Sequence, residues 1–250
     1  MIYYFSATGN SAWVARQIAV ATGDRACSII TDAGDLAAPE PIAADETLGL
    51  VFPVHAWSAP GLFLEFIDRL SVDPAAFVFA VCTYGDSPGA ALRWLAKSIR
   101  LDSGYGIAMP NSYIPLFNVD EPELAARKIA RAKEALPAIC AQISRREPVF
   151  PDRDKAPDRW LTRFIPPLFK LISKDKKFRV DDSCVSCGRC VSVCPTRNIH
   201  LDPIKPVWNG NCVHCMACIH HCPVEAIQYG NRTRRRGRYV FSDDGGDPRP

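Results

Sequence analysis

Several features that define common classes of protein are absent from this chain of 250 residues. No apolar stretch approaches the ~18 residues that a transmembrane helix needs. The opening residues, MIYYFSATGN, contain no basic region and no small-residue cleavage site after an apolar stretch, so a secretory signal is not expected. Because apolar residues make up 48% and charged residues 23% of the chain, we expect a globular protein of the cytoplasm.

The motifs of several enzyme classes are also absent. There is no Ser–His–Asp spacing, no metalloprotease motif and no suggestively spaced pair of carboxylates, so no catalytic residues are assigned. The chain has neither the G-x-G-x-x-G fingerprint of dinucleotide-binding folds nor the lysine-containing loop of nucleoside triphosphatases. Direct use of a nicotinamide cofactor therefore has no support in the sequence.

Cysteine, in contrast, is abundant, with eleven residues. Eight of them lie between residues 184 and 222. Because a reducing compartment does not favour disulfides, eight closely spaced cysteines indicate a metal site. The other three, Cys27, Cys82 and Cys140, fall in predicted strands or a helix and are expected to be ordinary core residues.

Charge divides the chain in the same way as cysteine does. Residues 1–150 carry a net charge of −4 and residues 151–250 a net charge of +7. We expect two domains joined by a Pro-rich, charged linker and followed by a basic, poorly ordered tail. The expected boundaries are 1–146 for the first domain, 147–180 for the linker, 181–231 for the second domain and 232–250 for the tail.

The first unit alternates strand-like and helix-like stretches. Continuous apolar runs predict strands over residues 2–6, 27–30, 48–53, 77–82 and 106–109. Periodicity predicts helices over residues 10–21, 61–70, 89–99 and 120–146. This alternation indicates an α/β fold with a doubly wound parallel sheet, in which ligands bind beyond the carboxyl ends of the strands.

The cysteine-rich segment contains an internal repeat. CVSCGRCVSVCPTRNIHLD at residues 184–202 aligns with CVHCMACIHHCPVEAIQYG at residues 212–230. Each half has the spacing C-x2-C-x2-C-x3-C-P, in which three cysteines of one loop bind one cubane cluster and the fourth binds the neighbouring cluster. The rule assigns a first cluster to Cys184, Cys187, Cys190 and Cys222, and a second cluster to Cys212, Cys215, Cys218 and Cys194.

Zinc bound by C-x2-C pairs is the alternative, although three cysteines in one loop suit a cubane better than a tetrahedral ion. The segment resembles the small α+β ferredoxin module that carries two [4Fe–4S] clusters. This resemblance implies one-electron transfer at low potential between neighbouring clusters.

A second candidate site follows the first predicted strand. The segment Ser6-Ala7-Thr8-Gly9-Asn10-Ser11 opens the first helix, where backbone N–H groups and the helix dipole favour an anion. The alternative is an ordinary capped helix, because Ser and Thr are common N-caps. Two further loops follow the third and fourth predicted strands and carry aromatic residues, Trp57 and Tyr84, that are able to stack on a planar ring.

These three loops resemble those of the flavodoxin family. The phosphate loop of that family has the pattern Ser/Thr-x-Thr-Gly-x-Ser/Thr, which Ser6, Thr8, Gly9 and Ser11 match. The resemblance covers residues 1–146 and implies FMN, whose phosphate these residues and Asn10 would hold. It also implies two ring-side loops with Pro53, Val54, His55, Ala56, Trp57, Thr83, Tyr84 and Gly85.

The whole chain resembles bacterial and archaeal fusions of a flavodoxin-like domain with a two-cluster ferredoxin. The resemblance implies an iron–sulfur flavoprotein that couples two-electron FMN to one-electron clusters and serves redox partner proteins. Residues 109–113 also resemble a segment of that family and are a candidate third wall of the flavin pocket or of the domain interface. One alternative is an FMN-dependent reductase of a small substrate, fed by the clusters. Another is a redox sensor that binds nucleic acid through the arginines at 232–238.

The linker combines basic with apolar and aromatic side chains. Over residues 153–179, nine Lys and Arg are interleaved with Trp160, Phe164, Ile165, Leu168, Phe169 and Ile172. We expect these apolar residues to pack between the domains, because the adjacent Pro166 and Pro167 would break an amphipathic membrane-surface helix.

Overall fold

The first unit is built on a parallel sheet, as its continuous apolar runs predict. The computed structural model describes residues 1–150, 162, 163, 165, 166, 169 and 175–243. The sheet strands are β1 (Ile2–Tyr4), β2 (Ala26–Ser28), β3 (Thr47–Pro53), β4 (Phe77–Tyr84) and β5 (Ser103–Ala108). The helices between and after them are α1 (Asn10–Thr22), α2 (Gly61–Ile67), α3 (Ala91–Leu95) and α4 (Pro122–Ser144).

The strand order identifies the fold. All neighbouring strands are parallel, and their order is β2-β1-β3-β4-β5. This is the doubly wound order of flavodoxin-like domains. The five predicted strands are confirmed, with ends shifted by up to three residues.

Strands β3 and β4 are buried on both faces because helices cover each side of the sheet. On β3, Leu50 and Phe52 point into the core shared with α2 and α3, whereas Val51 points into the core shared with α1 and α4. Cys82 lies in the first of these cores and Cys140 in the second. Desolvation raises the pKa of the Cys82 thiol to about 12, as fits an inert core residue.

The second unit consists of two short helices and two antiparallel strand pairs. They are α5 (Arg189–Ser192), α6 (Ala217–His220), β6 (Phe178–Val180), β7 (Ile199–Asp202), β8 (Lys205–Trp208) and β9 (Ile227–Tyr229). β6 pairs with β9, and β7 with β8. The helices occupy equivalent places in the two halves of the repeat, and each begins after a residue in the left-handed conformation, Gly188 or Met216.

The segment after β9 differs from the predicted poorly ordered tail. A 3-10 helix spans Arg232–Arg235, and the chain then runs back to the sheet domain, where the N–H of Phe241 donates to the carbonyl of Thr8. Aromatic residues near the chain end therefore find apolar partners that a composition-based prediction does not reveal. Residues 244–250 lie outside the described residues.

The predicted packing of the linker can be followed only at a few positions. The ring of Phe169 lies 5.8 Å from that of Tyr113 in the sheet domain and 5.6 Å from that of His214 in the second unit. Phe169 thus packs between the two units, as expected. The expectations for Trp160, Phe164, Leu168 and Ile172 fall outside the described residues. Among those that are described, no helix has both the length and the apolar character to cross a membrane.

The sheet leaves no room for a side chain at Gly49. A Cβ at this position would lie 2.5 Å from the Phe79 ring and 2.9 Å from Ile2. We predict that Gly49→Ala lowers the free energy of unfolding by about 1–3 kcal/mol, because overpacking must displace both neighbours. Urea unfolding followed by tryptophan fluorescence measures this effect.

Gly61→Ala is the matched control, because a Cβ at this helical position meets nothing within 4 Å. Its stability should equal that of the wild type within about 0.5 kcal/mol, or exceed it slightly through better helix propensity. Wild-type stability in Gly49→Ala would show that the sheet is less tightly packed than described.

Candidate cofactor sites

The loop between β1 and α1 makes a sharp turn at Gly9. Its φ of +98° is accessible to glycine at little cost, and its N–H donates to the Ser6 hydroxyl at 3.2 Å. A Cβ on Gly9 would also lie 2.8 Å from the Cβ of Phe241. No side chain caps α1, so its first N–H groups remain available to an anion.

The polar side chains of this loop are fixed by partners in distant segments. The Ser11 hydroxyl lies 2.8 Å from that of Thr83 at the end of β4, and both residues are buried. The side-chain amide of Asn10 donates to the carbonyl of Pro110 at 3.0 Å, and its oxygen accepts from the Tyr239 hydroxyl at 2.6 Å. The Asn10 side chain therefore holds the loop in place, whereas Ser6 and Thr8 face the adjoining cavity.

The loop after β3 is a tight turn with unusual backbone angles. The backbones of His55 and Ser58 exchange two hydrogen bonds, of 2.8 and 3.0 Å. Between them, Ala56 and Trp57 adopt φ values of +49° and +61°. Such conformations cost about 1–3 kcal/mol each and are concentrated at binding sites. The carbonyl of Trp57 accepts a hydrogen bond from the buried Thr162 hydroxyl at 3.0 Å, which helps to fix the turn.

The segment after β5 forms a further wall. Asp120 accepts a hydrogen bond from the N–H of Asn111 at 3.2 Å and pairs with the buried ammonium of Lys128 at 2.7 Å. This pair fastens the segment to α4, which begins at Pro122 rather than at residue 120. The sequence-based suggestion that residues 109–113 line a flavin pocket is consistent with this placement.

All these loops surround one cavity of about 370 Å³ at the carboxyl edge of the sheet. The cavity is lined by all the predicted cofactor-binding residues except Gly9. They are Ser6, Thr8, Asn10, Ser11, Pro53, Val54, His55, Ala56, Trp57, Thr83, Tyr84 and Gly85. Sequence reasoning did not assign to this cavity the lining residues Leu116, Phe117, Ile165, Phe169, His214 and Cys215.

His55 lies half-buried in the cavity wall beside Phe5, with the two rings 6.3 Å apart. Desolvation, with a smaller contribution from His214, lowers the pKa of His55 to about 4. The imidazole is therefore neutral at pH 7 and places an uncharged polar group against the cavity.

The eight clustered cysteines surround two smaller cavities in the second unit. One cavity is lined by Cys184, Cys187, Cys190 and Cys222, which form the first cysteine group. The other is lined by Cys194, Cys212, Cys215 and Cys218, which form the second cysteine group. Each group thus contains three cysteines of one repeat and the last cysteine of the other. This interleaved arrangement matches the assignment made from the spacing.

The eight thiols must lose their protons when they bind a metal. Burial raises the pKa of Cys190 to about 11 and that of Cys215 to about 12. Neighbouring thiolates disfavour ionisation further, so binding of iron must displace the protons. No three His, Cys, Asp or Glu residues converge closely enough for a single metal ion in the described ranges. The thiols instead surround a cavity, as ligands of a polynuclear cluster do.

Cys215 connects the two kinds of site. It belongs to the second cysteine group and also lines the large cavity of the sheet domain. It packs against the hydrophobic core beneath β3 and β4. The sequence pattern of neither unit predicts this contact, because it forms only when the two units dock.

Comparison with known proteins assigns the second unit. Residues 172–227 match the family of 4Fe-4S dicluster domains. This unit is therefore a ferredoxin-type domain that binds iron–sulfur clusters, attached to a flavodoxin-like domain. No curated protein matches the chain.

Three solved structures show partial similarity. Two chains designated flavoproteins, from Bacteroides uniformis and Bacteroides eggerthii, are 22% and 21% identical over 43% of this chain, with TM-scores of 0.35 and 0.34. These matches cover 88% and 85% of those chains. Rubredoxin oxygen:oxidoreductase from Desulfovibrio gigas is 14% identical over 57% of this chain and 36% of its own, with a TM-score of 0.30. The fold assignment rests on the strand order, independently of these similarities.

The lowered pKa of His55 predicts acid sensitivity. Between pH 6.5 and 4 the unfolded chain binds a proton that the folded imidazole does not, so stability is present above pH 6.5 and is lost as the pH falls. From pH 7 to pH 5 this contribution should fall by about 2 kcal/mol. We predict that His55→Gln flattens the pH dependence of unfolding by that amount, measured by anaerobic urea unfolding at several pH values.

His200→Gln serves as the control, since His200 is exposed on β7. Its pH profile should follow that of the wild type. If His55→Gln kept the full wild-type slope between pH 7 and 5, another group would be responsible for the acid sensitivity.

Proposed function

We propose that the chain is an electron-transfer protein that binds FMN in the large cavity and a [4Fe–4S] cluster in each cysteine group. When bound, FMN supplies two-electron chemistry and each cluster one-electron chemistry. The protein residues position these groups, exclude water from them and set their distances. The observation that carries the proposal is the position of Cys215, which belongs to the walls of both the flavin cavity and the second cysteine group.

The large cavity suits FMN at both of its ends. The uncapped N-terminus of α1 and the hydroxyls of Ser6 and Thr8 provide donors for a phosphate. Trp57 and Tyr84 are apolar, planar neighbours for an isoalloxazine ring. A neutral His55 adds a hydrogen-bonding group without bringing a charge into the pocket.

The cysteine groups suggest the order of electron transfer. The second group adjoins the flavin cavity through Cys215, and helices α5 and α6 bring the first group next to the second. Cys187 of the first group is the one exposed residue among the eight cysteines. We assign the first group to exchange with redox partner proteins and the second group to the relay between that surface and the flavin.

A second candidate function is reduction of a small substrate at the flavin. Leu116 and Phe117 line the large cavity while remaining 57% and 49% exposed, so the cavity opens to solvent between apolar side chains. Such an opening suits entry of a small apolar acceptor. The sensor of nucleic acid is less supported, because Arg234 pairs with Asp181 while Arg236 and Arg238 bind backbone carbonyls.

Anaerobic reconstitution tests the cofactor content. We expect about eight iron atoms and one FMN per chain, because each group of four thiols suits a cubane and the large cavity suits one flavin. Iron and sulfide assays and flavin extraction measure these values. About four iron atoms per chain would contradict one of the two predicted clusters, and zinc in place of iron would favour the zinc alternative. No FMN binding at micromolar concentration would contradict the flavin site.

Steady-state kinetics with small quinones distinguishes the two functions. If the cavity admits a substrate, the rate should saturate with quinone concentration, and Phe117→Ala should change KM several-fold while leaving iron content unchanged. Val20→Ala is a control, because Val20 is an exposed apolar residue outside the cavity lining. A rate that rises linearly with quinone and is insensitive to Phe117→Ala would support a carrier that reacts only with proteins.

A further inference from the structure

The segment Arg232–Asp243, here called the C-terminal strap, is anchored in the ferredoxin-type domain. The buried Thr233 hydroxyl donates to the side-chain oxygen of Gln228 at 2.9 Å and accepts from the N–H of Tyr229 at 2.8 Å. The guanidinium of Arg238 donates to the carbonyl of Ile227 at 3.2 Å. These bonds attach the beginning of the strap to β9.

The other end of the strap lies on the phosphate loop. The Tyr239 hydroxyl donates to the Asn10 side-chain oxygen at 2.6 Å, and burial raises the pKa of Tyr239, which keeps the hydroxyl protonated. The N–H of Phe241 donates to the carbonyl of Thr8 at 2.7 Å. The Phe241 ring packs on Trp13 of α1 with a centroid distance of 5.2 Å. Its Cβ lies 2.8 Å from the position that a Cβ on Gly9 would take, so no side chain fits at Gly9.

Two histidines join the cluster-binding helix to the same loops. The N–H of Tyr239 donates to Nδ1 of His220, so Nε2 of His220 carries the proton and donates to the carbonyl of Ser112 at 2.7 Å. Nε2 of His221 likewise lies 3.1 Å from the carbonyl of Ala7 and donates to it. Both histidines lie between Cys218 and Cys222, which belong to different cysteine groups.

The ferredoxin-type domain is small, and its core depends on the cysteines. Cys190, Cys218 and Cys222 belong to its buried cluster, beside the cavities that the two groups surround. Small domains have limited apolar burial, and many small metal-binding domains fold only when the metal is bound. We therefore expect the anchor of the strap and the orientation of α6 to depend on loaded clusters.

We propose that the strap makes flavin binding conditional on cluster loading, with Tyr239 as the positioning residue that transmits the state of the clusters to the phosphate loop. With clusters in place, Tyr239 and Phe241 fix Asn10 and Thr8, and the loop is preorganised for the FMN phosphate. Without clusters the strap loses its anchor, and the entropy lost on ordering the loop weakens the binding of FMN. Linkage requires that bound FMN stabilise the loaded clusters in return. This inference rests on the proposed flavin site.

A thermodynamic cycle with the full chain tests the inference. The dissociation constant of FMN is measured by fluorescence quenching for wild type and Tyr239→Phe, each loaded with clusters and each stripped by anaerobic chelation. In the wild type, stripping should weaken FMN binding about tenfold. In loaded Tyr239→Phe, FMN binding should already be about fivefold to fifteenfold weaker, since one buried hydrogen bond is lost. Stripping this variant should then add no more than about twofold to threefold.

The readouts separate strap coupling from a general loss of structure. Iron content and the circular dichroism of loaded Tyr239→Phe should match the wild type, as should those of Tyr105→Phe, a change in a buried tyrosine outside the cavity lining. Tyr105→Phe should also keep wild-type FMN affinity. FMN should slow chelator-driven bleaching of the clusters in the wild type and less so in Tyr239→Phe.

Each alternative result has a distinct meaning. Wild-type FMN affinity in loaded Tyr239→Phe would overturn the inference, as would equal weakening of both proteins on stripping. If the loaded wild type bound no FMN, the proposed flavin site would fail instead, because the cycle would lack the reference affinity with which the other three forms are compared. A loss of iron from Tyr239→Phe would make the tyrosine structural for the cluster domain and would also overturn its role as a positioning residue.

Discussion

The parallel alignment of the five strands is the constraint on which both halves of the molecule depend. Because every strand of the sheet runs in the same direction, the loops after β1, β3, β4 and β5 all emerge at one edge. That edge gathers hydroxyls, strained turns and aromatic rings into a single cavity. It also presents the surface on which the ferredoxin-type domain docks, so the proposed flavin cavity and the docking surface lie in the same place.

Docking completes the cavity as well as covering it. Cys215 and His214 supply part of the wall from the cluster domain, and Phe169 fills the junction from the linker. The strap then holds the phosphate loop from its outer side through Phe241. A cavity lined by the sheet domain, the linker and the ferredoxin-type domain is sensitive to the relative position of the domains, which a cavity within a flavodoxin-like domain alone would not be.

Local pattern predicted much of this arrangement from the sequence. Apolar runs located the five strands, because buried strands have short-range signatures. The repeat spacing predicted the same two sets of four cysteines that line the two small cavities, although their assignment to clusters stays a prediction. The missed features, such as the Asp120–Lys128 ion pair and the bond from Tyr239 to Asn10, join residues that are distant in the chain or weakly patterned. A basic, Gly-containing segment such as the strap has the composition of a solvated tail, and only its partners give it structure.

The exposure of one thiol distinguishes the two cysteine groups in the proposed electron path, because only the first group contains an exposed cysteine. Desolvation and neighbouring cysteines raise the pKa of Cys218 strongly, and desolvation also raises that of Cys215. A site of this kind holds its charge away from water, which reduces the solvent reorganisation that accompanies a change of charge. The first group instead reaches the surface through Cys187, where a partner protein can approach it. In the proposed electron path, the second group lies next to the large cavity and the first group reaches the surface, so two sites with the same cysteine spacing take different places in it.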